Sequence, residues 1–174
     1  MKPLFQLILL SCLVGSILSL NLASLWPWEL KHLPTVSHVD LAQYTGNWYE
    51  IARLPQFFER NCECVTATYG FNEDGTISVK NQCRKGAPDG ELKIAEAKAW
   101  PKDSTNSKLE VEFYWPFTGD YWILALDRDY KWALVGHPIR HALWILSRTP
   151  TLDKLLIEEI VDFATKLDFD TSKL

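Results

Sequence analysis

Apolar positions change period twice along the chain, and each change marks a different kind of segment. Residues 4–20 read LFQLILLSCLVGSILSL, uncharged throughout and preceded by a lone Lys2. A run of that length and polarity is an export signal or a short membrane anchor, not part of a packed domain. Residues 21–39, with Trp26-Pro27-Trp28 and Pro34, follow neither a period of 2 nor one of 3.6. They read as a tether or an N-terminal wrap, so the domain is expected over residues 40–174.

After a helical turn at 41–44, strand-like runs alternate with turn signals at the 8–12 residue spacing of an antiparallel barrel or sandwich. The runs are 48–52, 64–71, 76–83, 93–100, 108–115, 121–126, 132–135 and 143–147. Asn72-Glu73-Asp74-Gly75, Pro88-Asp89-Gly90, Pro101-Lys102-Asp103-Ser104 and Pro116-Phe117-Thr118-Gly119 supply tight-turn chemistry between them. No crossover helix intervenes, which excludes a parallel α/β sheet. The fold class expected is all-β, with eight antiparallel strands.

One late segment, 153–167, has helical period. Leu156, Ile160, Phe163, Ala164 and Leu167 form its apolar stripe, and Thr151 is placed to cap it. Leu109-Glu110-Val111-Glu112-Phe113 alternates cleanly, whereas 121–126 and 143–146 are apolar on both faces. Such strands need cover on both sides, so the helix is expected to pack outside them.

Composition narrows the functional classes. With 174 residues, 47% apolar and 23% charged, the chain fits one folded domain plus an address, which excludes disorder and a multi-span membrane protein. Net charge is −4, and since residues 1–39 carry +1 (Lys2, Lys31, Glu29), the domain carries −5. That lacks the basic footprint of a nucleic-acid binder. The 13% aromatic content, with eight Trp, suits a packed β core or an aromatic-lined cavity.

The address admits three readings: lipidation at Cys12 in Leu9-Leu10-Ser11-Cys12, signal cleavage near Ser16 or Ser19, or an uncleaved anchor. The apolar residues that continue past Cys12 favour cleavage beyond it. Each reading exports the domain, to the periplasm and outer membrane or to the outside, where cysteines pair. A four-residue loop between 71 and 76 sets Cys64 opposite Cys83, although the apolar parity of 65–71 against 77–79 asks for a register one residue different, and a bulge would reconcile the two. Cys64–Cys83 is the expected disulfide and Cys62 the runner-up partner.

Catalytic signals are few. His32 and His38 stand apart, and His137-x-x-x-His141 is interrupted by Pro138, so no metal site is expected. There is no nucleophile elbow, phosphate loop or H-E-x-x-H motif. No catalytic residue and no cofactor is assigned.

Gly46-x-Trp48-Tyr49, Gly119-Asp120-Tyr121 with Ala125-Leu126-Asp127, and Arg148 after 143–147 occur in the order of the three signature regions of the lipocalins. The chain resembles that family from Asp40 to Lys173. Trp48-Tyr49-Glu50-Ile51-Ala52-Arg53, Phe58-Glu59-Arg60 and Trp144-Ile145-Leu146-Ser147-Arg148-Thr149-Pro150 are similar above all to bacterial outer-membrane lipocalins and apolipoprotein D. The resemblance implies an up-and-down barrel whose closed end is plugged by Arg148 stacked on Trp48, and a cup for a hydrophobic ligand. Tyr69, Val111, Phe113, Trp115, Tyr121, Ile123 and Trp144, with Leu109, are the candidate walls. The implied function is storage or transport of a fatty acid, phospholipid or lysophospholipid for membrane maintenance. Two alternatives are an isomerase or redox enzyme using Cys62, and a filled, purely structural barrel.

Overall fold

The computed structural model describes residues 32–174. The expected address, Cys12 with it, and the first part of the tether lie outside these residues. Eight strands, β1 (Gly46–Arg53), β2 (Cys62–Phe71), β3 (Ile77–Lys85), β4 (Leu92–Pro101), β5 (Lys108–Tyr114), β6 (Phe117–Leu126), β7 (Trp132–Gly136) and β8 (Leu143–Ser147), form one closed antiparallel barrel in chain order. A short helix, α1 (Leu41–Tyr44), precedes β1, and α2 (Lys154–Lys166) follows β8. Single 3₁₀ turns stand at Phe57–Glu59 and Thr171–Lys173.

Every expected strand is present, but one turn moves. Tyr114 pairs with Phe117, so the β5–β6 reversal is centred on Trp115-Pro116, and Phe117, Thr118 and Gly119, read from sequence as turn, belong to the ladder. Pro116 has no N–H to give a ladder, while aromatic and β-branched residues suit a strand. The helix cap also differs. Asp153, not Thr151, accepts the free N–H groups of Leu155 (2.9 Å) and Leu156 (3.2 Å), because α2 begins at Lys154 and a cap bonds two to three residues ahead.

The doubly apolar strands are covered as their pattern requires. Ile160 and Ala164 of α2 pack with Leu124, Leu134, Leu143 and Ile145 on the outside of β6, β7 and β8. Gly136 allows the tail to close over this wall, since a Cβ there would meet Phe169 Cζ at 2.7 Å and Leu124 Cδ1 at 2.8 Å. Residues 33–39 lie against the barrel. Leu33 is buried in the helix-side core and Val39 in the barrel core, and the Val36 and Val39 N–H groups donate to the carbonyls of Ile123 (3.0 Å) and Thr105 (2.8 Å).

The cysteine pairing expected from the hairpin is corrected. Cys62, not Cys64, is bonded to Cys83, and Cys64 is an exposed free thiol. Two registers coexist in the β2–β3 ladder: Thr66↔Gln82 through Phe71↔Ile77 follow one, Cys62↔Lys85 and Glu63↔Arg84 the other. The extra residue of the bulge falls at Cys64 and Val65, where Cys64 takes φ 50°, so Cys64 leaves the face that Cys83 occupies. The Cys62 needed as nucleophile by the enzymatic alternative is held in the bridge.

Candidate functional site

Up-and-down connectivity places the β1–β2, β3–β4, β5–β6 and β7–β8 connections at one end of the barrel, and α1 with the other three connections at the opposite end. The α1 end is closed. Trp48, 0% exposed, fills it and donates its indole N–H to Tyr44 O at 2.8 Å. The Arg148 guanidinium lies over the indole, Cζ 3.8 Å from the ring centroid. It also donates to four main-chain carbonyls: Gln43 (2.7 Å), Asn47 (2.8 Å), Tyr44 (3.1 Å) and Tyr130 (3.2 Å). One side chain thereby ties α1, β1 and the β6–β7 connection together. Gly46 has φ +97°, and a Cβ on it would stand 3.3 Å from Arg148 Nη1, which is the physical reason for glycine two residues before Trp48.

Above this plug lies a cavity of about 530 Å³, within the range of small-ligand sites. Its floor is a trio of tyrosines: the Tyr121 hydroxyl is hydrogen-bonded to those of Tyr44 (2.8 Å) and Tyr69 (3.1 Å). Burial holds all three in the neutral form, with Tyr69 pushed up to about 12 and Tyr44 and Tyr121 well above their ordinary value. Ile77, Val79, Ala99, Leu109 and Val111 make the apolar walls.

Higher on one wall stands a charged group. Arg53 pairs with Glu50 and, Nε to Oε2 at 3.4 Å, with Glu59; the Trp144 indole N–H also points at Glu59 (3.4 Å). Burial, then the neighbouring Glu59, push the Glu50 carboxyl up to about 7 against the pull of Arg53, and burial raises Glu59 too. A carboxyl raised in the fold from an ordinary 4.5 to about 7 favours folding fully below 4.5, and that contribution is lost as pH rises through 7. Stability should therefore fall between pH 5 and 8, by on the order of 2 kcal/mol, and Glu50→Gln should flatten the fall. Denaturant midpoints at the two pH values check this; a wild type more stable at pH 8 contradicts it.

Around the open end, Phe57 and Ile139 in the β1–β2 and β7–β8 connections stand exposed, as do Tyr114, Trp115 and Phe117 at the β5–β6 hairpin tip. His137 and His141 line the same mouth with ring centroids 4.0 Å apart. Burial, followed by His141, lowers the His137 pKa.

Of the candidate walls, Tyr69, Leu109, Val111, Phe113, Tyr121 and Trp144 face the cavity. Two do not. Trp115, 83% exposed, sits at the hairpin tip beyond a bulge that ends the alternation of β5. Ile123 is fully buried beside Trp48 in the closed-end core, below the tyrosine floor. Sequence reading missed Leu41 and Tyr44 of α1 and Phe57, Phe58 and Glu59 of the β1–β2 connection, where no strand alternation operates. Ile77, Val79 and Ala99 were open to discovery, since they share strand parity with one another.

An eight-stranded barrel plugged at one end, with an apolar cavity opening at the other, defines a class of proteins built to enclose one small molecule. Residues 39–174 match the lipocalin-like domain, and the chain belongs to the lipocalin family. It is 42% identical over 150 residues to the outer membrane lipoprotein Blc of Citrobacter freundii, spanning 85% of this chain and 84% of that one. It is 40% identical over 154 residues to temperature-induced lipocalin-1 of Arabidopsis thaliana (84% and 82%) and 31% identical over 156 residues to apolipoprotein D of Bos taurus (84% and 80%). Among solved structures, insecticyanin of the tobacco hornworm Manduca sexta shares the fold with a TM-score of 0.66 at 23% identity, covering 85% of each chain.

Proposed function

We propose that the protein carries one amphiphilic lipid, a fatty acid, phospholipid or lysophospholipid, with its tail in the barrel cavity, and that it does so outside the cytosol, at the cell envelope. The observation that carries this reading is the apolar cavity of about 530 Å³, walled by Ile77, Val79, Ala99, Leu109 and Val111 and open at one end. The Cys62–Cys83 bridge supports an oxidising compartment, and the relative named as an outer membrane lipoprotein supports the envelope. The exposed aromatics at the mouth support exchange with a membrane, since such rings favour the lipid–water interface.

Burying a methylene contributes about 0.8 kcal/mol, so each CH₂ added to a ligand tail should tighten binding roughly fourfold until the cavity is full. Titrating delipidated protein with saturated fatty acids of increasing length, followed by tryptophan emission, should show that progression near 1:1 stoichiometry. Ala99→Trp, which fills the cavity from the wall, should weaken every member at least tenfold without lowering the melting temperature by more than a few degrees. Affinity independent of chain length, or undiminished in Ala99→Trp, would show that the tail does not enter the barrel.

A further inference from the structure

One part of the cavity wall holds more negative charge than it neutralises. The Glu50 and Glu59 side chains, 6% and 11% exposed, both contact the guanidinium of Arg53. Arg53 Nη2 further donates to the carbonyls of Glu59 (3.0 Å) and Cys62 (3.5 Å), and among the described residues the Trp144 indole is the one other donor to either carboxylate. On the same inner surface, two strands away on β3, Asn81 Oδ1 is buried with no hydrogen-bond partner among the described residues. Two carboxylates and an unpaired amide oxygen thus share this inner surface with one guanidinium. The other titratable groups that face it are Tyr69 from β2, His137 and His141 from the β7–β8 connection, and Lys93 from β4, whose ammonium donates to Phe58 O at 3.0 Å. Tyr44 and Tyr121 lie on the floor with Tyr69, hydrogen-bonded to one another.

The height of this group matters. Trp48 closes the barrel beneath the tyrosine floor, Glu50 stands one inward position beyond it on β1, and Glu59 lies in the connection that frames the mouth. Both carboxylates line the cavity together with its apolar wall, so a bound amphiphile lies beside them.

Resting on the reading of the cavity as an amphiphile site, we propose that Glu50, facing Glu59 across the shared Arg53, selects the ligand headgroup by its charge. An amphiphile with a cationic nitrogen enters while Glu50 is ionised. One with a carboxylate enters only together with a proton, taken from solvent and held on the Glu50–Glu59 pair. The reason is Coulombic: two like charges a few ångströms apart, screened from water by an apolar cup, repel too strongly for both to stay ionised. Binding of an anion and protonation of Glu50 are then linked, and binding of a cation and its deprotonation equally so. With the Glu50 carboxyl near 7, the linkage falls between pH 6 and 8.

Three probes with the same twelve-carbon tail test this: laurate, dodecylamine and dodecanol. Neither charged headgroup itself titrates between pH 6 and 8. From pH 6 to pH 8, laurate should weaken and dodecylamine tighten, each by up to about tenfold as one proton is exchanged, while dodecanol should not change. Calorimetry near pH 7 in two buffers of different ionisation enthalpy should register proton uptake with laurate and release with dodecylamine on the wild-type protein. Glu50→Gln should flatten both slopes and leave dodecanol unaffected, and Glu59→Gln serves as the second variant should the first fold poorly. Parallel slopes for laurate and dodecylamine, no proton exchange, or slopes that survive in both variants would overturn the proposal. If none of the three binds, dodecanol included, the carrier reading fails and the proposal with it.

Discussion

Trp48→Ala should lower the folding free energy by about 3–5 kcal/mol, the cost of emptying a buried aromatic site that the surroundings cannot collapse into. Trp48 has no exposed surface and is gripped on several sides: Tyr44 lies with its ring centroid 5.0 Å away, Arg148 caps the indole face, and the indole N–H is bonded to Tyr44 O. The truncation also leaves the Arg148 guanidinium without its ring. Arg148→Ala should cost less on its own, about 2 kcal/mol, because water can reach some of the carbonyls it leaves behind. The double variant should lose less than the two single losses together, since the residues share one contact. Urea unfolding of the four proteins measures all three quantities. Neither change removes a wall residue, so the chain-length series of ligands should be preserved in Arg148→Ala. A melting temperature unchanged in Arg148→Ala together with lost ligand binding would make it a ligand contact instead of a plug.

The bridge comes next in size. Cys62 and Cys83 are 21 residues apart, and closing a loop of that length in the unfolded chain removes entropy equivalent to about 3 kcal/mol. Cys83→Ser and Cys62→Ser should each lose roughly that amount, whereas Cys64→Ser, at an exposed position, should change stability by less than about 0.5 kcal/mol. The reverse ranking of Cys62 and Cys64 would restore the direct cross-strand pairing that the hairpin register suggests. Alkylation of the unreduced domain should label Cys64 and spare its two neighbours.

Much of the architecture is written in local chemistry. Strand runs bounded by Asn72-Glu73-Asp74-Gly75 or Pro88-Asp89-Gly90 need no tertiary information to be found, because glycine, proline and short polar side chains favour turns wherever they stand. The double apolarity of β6 and β8 likewise implied cover on both faces, and α2 supplies it. Less legible was the upper cavity. Phe57, Phe58 and Glu59 lie in a connection, where side-chain direction follows the path of the backbone and not a period of two.

Glu50 and Arg53 show where the boundary falls. Three residues apart on one strand, they should project to opposite faces of the sheet. The register shift between Glu50 and Ala52 inserts one residue and brings the two side chains into contact. The same device at Glu63–Thr66 moves the disulfide from Cys64 to Cys62, and another at Ile123–Ala125 puts Leu124 and Ala125 together on the helix side, between Ile123 and Leu126 in the inner core. The sequence by itself determined that this chain makes eight antiparallel strands and a late helix, since periodicity and turn chemistry are properties of neighbouring residues. Which side chain enters the cavity, which cysteine pairs and where the charge gathers were decided only by the closed barrel. A bulge forms where strands must bend and twist to meet around the ring, and one inserted residue reverses the face of everything beyond it.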